Sequence, residues 1–253
     1  MCKYLFLVFP ILFFSCGEDE TPKKIISEDQ LPDKPQSLRA YAVRHVESVL
    51  KITPSEKYEL KIYKAKLDSD DKEDAIITVN RLQFAVNEAS QSEYPAKRAE
   101  VGFMGNFNYI FYYDGGLDLI SPPIAIPSSP LLPLKISFEN LNSSDYKDVV
   151  VDFRIRNSSY RDYYFIKNHT PARVFQWKNF DGLGTADAIA FTYSYEQGKV
   201  HSAKNIIINK AKIGAIPKDV DLTIYLPEIT PTSVLERVFF YLPSMGKYAT
   251  ESK

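Results

Sequence analysis

Hydrophobic positions along the chain change their rhythm twice. After residue 35 they follow a 3.6-residue spacing, with Leu38, Tyr41, Ala42, Val46, Val49 and Leu50 on one stripe. That spacing predicts a helix from about Pro35 to Leu50, capped by Asp33 with Gln36 and ended by Ile52-Thr53-Pro54. Beyond it the period falls to two. Tyr58, Leu60 and Ile62 alternate with Glu59, Lys61 and Tyr63, as in a half-buried strand. Further strands are expected at Ala75–Val79, Asn108–Tyr113, Leu134–Phe138, Val149–Ile155, Arg161–Ile166, Arg173–Trp177, Ala188–Tyr195, Asn205–Ile213, Val220–Leu226 and Val238–Leu242. Leu82–Ala89 fits a short helix or another strand. Asp114-Gly115-Gly116 is a tight-turn signal, and five prolines between Pro122 and Pro133 predict an extended, strand-poor connection. Short strands in close succession, with no alternating helices, predict a mainly β, antiparallel fold with one N-terminal helix. A sandwich and an irregular propeller-like arrangement both fit.

The first 36 residues have another character. Met1-Cys2-Lys3 precedes an apolar run from Tyr4 to Phe14, interrupted by Pro10. The run is too short to cross a bilayer as a helix, which takes about 20 residues. One positive charge, a short apolar stretch and a small residue at its end read as an export signal over residues 1–15. Residues 16–36 are polar, acidic and interrupted by Pro22, Pro32 and Pro35, the composition of a tether. Residues 37–253 form a single mainly β domain in this reading.

Phe13-Phe14-Ser15-Cys16 resembles the lipobox of bacterial lipoproteins, and Glu18-Asp19-Glu20 resembles the acidic signal that directs lipoproteins of Bacteroidota-type bacteria to the outer face of the outer membrane. The resemblance implies lipidation of Cys16, stable attachment to the outer membrane through two or three acyl chains, and display toward the cell exterior. The only other cysteine, Cys2, lies within the leader, so residues 17–253 carry no thiol. Disulfides and cysteine nucleophiles are thereby excluded from the mature body. Lysine plus arginine (31) balance aspartate plus glutamate (32), so no basic field for nucleic acid exists.

Three segments share a shape, a turn rich in Asp, Asn or Ser that leads into an aliphatic strand. They begin at Asp68, Asn140 and Asp181. The first two resemble the loops of FG-GAP or VCBS-type repeats, in which alternate acidic side chains wrap Ca²⁺. The resemblance implies Asp68, Asp70 and Asp74 as ligands of that cation. Lys66 stands at the opening ligand position, and the second segment keeps only Asp148 as a carboxylate in register. The competing reading makes these loops Asx-type turns whose side chains satisfy backbone amides.

No G-x-S-x-G elbow, H-E-x-x-H helix or Walker A sequence is present. His45, His169 and His201 are far apart in sequence, and no catalytic residue is assigned. Aromatic residues concentrate in Tyr160–Phe165 and Phe175–Trp177. Tyr160, Tyr163, Tyr164 and Trp177 are candidate binding aromatics if their sheet face is open, and core if it is closed. Period two puts Tyr160 with Tyr164 on one face and Tyr163 with Phe165 on the other. The expected function is that of a surface lipoprotein that binds or scaffolds without catalysis, its partner an outer-membrane protein complex or a glycan. A hydrolase of extracellular polymers and a Ca²⁺-stabilised module are the alternatives.

Overall fold

A computed structural model describes residues 37–198 and 202–251. The chain divides into two units, Met1–Pro35 and Gln36–Lys253, and all described residues belong to the second. Cys16, Glu18, Asp19, Glu20, the tether, the Asp33/Gln36 cap and His201 lie outside the described residues.

Helix α1 spans Leu38–Leu50. Its N-cap is Ser37, whose hydroxyl accepts the Ala40 amide at 3.2 Å, one of the four N-terminal donors a helix leaves open. Lys51 ends it in a left-handed conformation, at φ 52°, and returns its amide to the Glu47 carbonyl. Ala42 and Val46 are fully buried against a five-stranded antiparallel sheet. That sheet holds β1 (Glu59–Ala65), β2 (Asp74–Asn80), β3 (Gly105–Asp114), β4 (Leu119–Ile120) and β5 (Ile124–Ser128), with β4 and β5 both paired to β3. Ile77, Val79 and Phe111 face α1, while Ile76, Ile110 and Tyr112 point the other way. Period two thus serves two cores at once.

An eight-stranded antiparallel sheet follows in chain order: β6 (Lys135–Glu139), β7 (Asp148–Ile155), β8 (Ser158–Lys167), β9 (Thr170–Asp181), β10 (Ile189–Glu196), β11 (Asn205–Ile213), β12 (Ile229–Leu242) and β13 (Lys247–Ala249). Val149, Val151, Phe153 and Tyr164 pack on Ile76, Ile110 and Tyr112, so the two sheets meet face to face as in a sandwich. The opposite face of the larger sheet closes on itself. Phe175 of β9 has its ring 4.6 Å from that of Phe239 on β12 and 5.8 Å from that of Tyr248 on β13, although two or more strands separate them in the sheet. Only a strongly curled sheet brings those rings together. Its edge strands, β6 and β13, do not pair with each other, so no barrel forms.

The architecture is mainly β and antiparallel, as the alternation predicts, but three helices stand where one N-terminal helix is expected, and the proline-rich stretch, residues 220–226 and the start of β12 also differ from expectation. Leu82–Ala89 is helical, within α2 (Leu82–Ser90), and a further short helix, α3 (Pro95–Glu100), follows it. The proline-rich stretch contains strand β5, where Pro127 is exposed opposite an irregularity in the β3 pairing, a place where a missing amide costs no ladder bond. Val220–Leu226 is not a strand. The Asp221 carboxylate accepts the Thr223 amide and hydroxyl, at 2.8 and 2.7 Å, and its carbonyl accepts from Ile224 and Tyr225, which turns the chain instead. β12 begins at Ile229, nine residues before the expected strand.

One buried ion pair ties α2 to the segment before β1. Arg81 Nε and Nη2 contact both carboxylate oxygens of Glu56 at 2.6 and 2.7 Å, each side chain is only 8 % exposed, and the guanidinium lies 4.1 Å over the Phe84 ring. Removing one member strands the other in a poorly solvating site. Arg81→Met should therefore cost about 3–5 kcal/mol in urea unfolding, and the double variant Arg81→Met/Glu56→Leu should recover most of it.

Candidate functional site

The loops of the two sheets converge at one end of the sandwich. The β1–β2 loop (66–73) and the β6–β7 loop (140–147) are built alike. Asp74 and Asp148 open their strands opposite the last residues of β1 and β6, Ala65 and Glu139. Each turns one oxygen back across its loop, accepting the Leu67 and the Leu141 amide, both at 2.9 Å and both seven residues earlier. The two leucines are fully buried plugs. The Lys147 amide donates to the Lys66 carbonyl at 2.8 Å, which fastens one loop to the other. The third related segment differs. Asp181 is held by Ser158 and Lys178, while Asp187 lies exposed.

The β1–β2 loop is the acidic one. Asp68 and Asp70 each accept an amide two residues on, from Asp70 at 2.9 Å and from Lys72 at 2.7 Å, the Asx-turn geometry. The second oxygen of Asp68 accepts the Tyr112 hydroxyl at 3.2 Å, and the second oxygen of Asp74 accepts the Gly115 amide at 2.9 Å. The β3–β4 turn lies directly on this loop. A Cβ at Gly115 would stand 2.3 Å from the Glu73 carbonyl oxygen, and one at Gly116 would stand 2.1 Å from an Asp70 oxygen. Those two glycines are there for close approach.

The turn adds Asp114, and the β8–β9 hairpin adds His169. Asn168 and His169 take left-handed φ values of 47° and 60°, the conformation that lets two residues reverse a hairpin. His169 Nδ1 contacts Asp114 Oδ2 at 2.5 Å, with the imidazole largely exposed and the carboxylate buried. Ligand atoms of Asp68, Asp114 and His169 lie within 4.8 Å of one another, as do those of Asp68, Asp70 and Asp74. A small cavity of about 240 Å³ opens beside them, lined by Asp68, Ser69, Tyr146, Ile166, Asn168 and His169. Desolvation raises the Asp74 carboxyl above its ordinary range, against the pull of the Gly115 and Leu67 amides. The spacing of acidic residues points to Asp68, Asp70 and Asp74 as ligands but not to Asp114 or His169, which lie at least 40 residues further along. Only the Asp-Gly-Gly signal pointed toward that turn.

The second loop replaces charge with amides. Asn140 Nδ2 donates to the carbonyls of Ser143, Ser144 and Tyr146, at 3.1, 3.2 and 2.9 Å, and its Oδ1 accepts from Lys147. A neutral amide gathers the carbonyls that a cation would otherwise attract. Asp148 uses one oxygen for Leu141 and Asn142, and its other oxygen is buried without a partner. Burial accordingly pushes this carboxyl up to about 6.

The aromatic candidates are not on an open face. Tyr163 and Tyr164 are 0 % and 3 % exposed. Tyr164 and Tyr160 lie between the sheets, whereas Tyr163 and half-buried Trp177 belong to the core of the curled face. At Tyr163 and Tyr164 both faces of β8 are covered, so these two are out of reach of a partner. His45 is wedged between the rings of Tyr41 and Phe111, and burial lowers its pKa.

Five oxygens of Asp68, Asp70 and Asp74 accept hydrogen bonds, four from backbone amides and one from the Tyr112 hydroxyl, the pattern of the Asx-turn reading. The melting temperature should then be the same in EDTA and in excess Ca²⁺. Asp74→Ala, which orphans two amides, should cost about 2–5 kcal/mol in either buffer. Asp148 gives a pH signature. Its folded pKa stands above the unfolded value, so its contribution is fully present below about pH 4 and is lost as the pH rises through about 6. Asp148→Asn should thus gain on the wild type between pH 4 and 8, by about 1–3 kcal/mol at the upper end, in paired thermal melts. Comparison of the chain with protein-family models, with curated proteins and with solved structures finds no match.

Proposed function

We propose that this chain is a lipid-anchored outer-membrane protein, held through Cys16, facing the cell exterior, and acting there as a binding or scaffold component. The observation that carries the reading is the boundary at Phe13-Phe14-Ser15-Cys16, where an apolar run ends in a small residue and a cysteine and is followed by Glu18-Asp19-Glu20. Two features support it. After Cys16 the chain has no further cysteine, which suits a body that needs no thiol chemistry in an oxidising space. The domain itself begins with Ser37 as the cap of α1, leaving a polar, proline-containing stretch between anchor and domain. Two or three acyl chains make such an attachment stable, since each buried CH₂ contributes about 0.8 kcal/mol. The partner in this reading is an outer-membrane protein complex or a glycan.

The reading is tested on the full chain in a bacterium that processes lipoproteins. Metabolic labelling with an alkyne fatty acid should mark the wild type and leave Cys16→Ser unmarked. Replacing Glu18, Asp19 and Glu20 with alanine should keep the label but protect the protein from protease added to intact cells. A mature protein whose Cys16 carries no acyl group, or one found wholly in the medium, would refute the anchor.

A further inference from the structure

The curled sheet carries a groove of about 770 Å³ on the face that also holds the aromatic core, floored by β7 to β10 and rimmed by Leu226, Ile229 and Pro231. Its floor is polar and positively biased. Lys135, Arg154 and Arg161 line it against one carboxylate, Asp152. That carboxylate is already committed. It takes Arg161 Nε and Nη2 at 2.7 and 2.8 Å, and Asn179 Nδ2 at 3.0 Å.

Arg154, two residues along β7 on the same face, has no such partner. It is 3 % exposed, and its Nη2 donates to the Leu222 and Arg156 carbonyls at 2.5 and 3.3 Å. Its Nε and Nη1 are buried with no hydrogen-bond acceptor. Phe180 lies under the guanidinium, at 4.6 Å. Asp221, the acid that acts on it electrostatically, is exposed and bonded to Thr223. A buried cation with open donors is costly to keep, and an apolar side chain of the same size would suit the unliganded fold better. Burial lowers this guanidinium to about 10, so it is still charged at neutral pH. The charge therefore finds its use when an anion enters the groove.

We propose that the groove binds an organic acid, its oxyanion seated on Nε and Nη1 of Arg154 and its apolar body lying along the rim at Leu226 and Pro231. Charge-assisted hydrogen bonds from a desolvated guanidinium are strong, and three cations to one carboxylate favour an anion over a neutral molecule. The Leu222 carbonyl holds Nη2 and leaves Nε and Nη1 for the oxyanion. The segment that carries Leu222, residues 214–228, holds no strand or helix. The inference is independent of the lipid anchor.

Calorimetric titration of the full chain with benzoate, benzyl alcohol and inorganic phosphate tests the proposal. The sole tryptophan supplies a second readout, because Trp177 stacks edge-on at 6.0 Å against Phe191 of the groove lining. Benzoate should bind and perturb the emission, while benzyl alcohol and phosphate should not. Arg154→Met should weaken benzoate by at least about tenfold while melting no lower than the wild type. Leu226→Trp, which fills the groove from its rim and leaves the floor intact, should block benzoate as well. Equal binding of benzyl alcohol or phosphate, or benzoate binding that survives both variants, would overturn the proposal.

Discussion

The fold depends on strands that have no outside. β7 and β8 carry apolar side chains on both faces, Val149, Val151 and Tyr164 toward the smaller sheet and Val150, Tyr163 and Phe165 away from it. The smaller sheet covers one face. For the other face the eight-stranded sheet must bend until β12 and β13 lie over β9, because burial of large aromatic rings is the strongest drive available to it. The curl and the sandwich contact both serve that burial. Helix α1 answers a similar demand on the far side of the smaller sheet, where Ile77, Val79 and Phe111 would otherwise meet water.

Much of this was legible in the chain, and the reasons differ from element to element. Alternation located nearly every strand, and it correctly set Tyr160 with Tyr164 against Tyr163 with Phe165. It is blind to whether a face is open, since an aromatic row reads the same in a core as on a platform. Proline concealed β5, because a missing donor is harmless at an irregular pairing. A run of Val, Leu, Ile and Tyr in 220–226 looked like a strand, and the local bonds of Asp221 prevailed over that propensity.

The two loops show the same limit in their chemistry. Their kinship was visible as spaced Asp and Asn residues, and the structure gives it a physical meaning, a strand-opening carboxylate that holds the amide of a buried leucine. What local sequence does not carry is convergence. Asp114 and His169 are 55 positions apart, and Arg154 reads as an ordinary strand arginine until its surroundings are known.

Strand β12 has a further consequence. It is fourteen residues long, yet β13 pairs only with Phe240, Tyr241 and Leu242, so most of one flank has no neighbouring strand among the described residues. An open flank with exposed Val234 and Leu235 is a template on which another polypeptide could polymerise. Pro231 carries no amide hydrogen to offer, and the pairing with β11 shifts register on either side of Asn209. An approaching strand therefore meets neither a full row of donors nor a regular ladder.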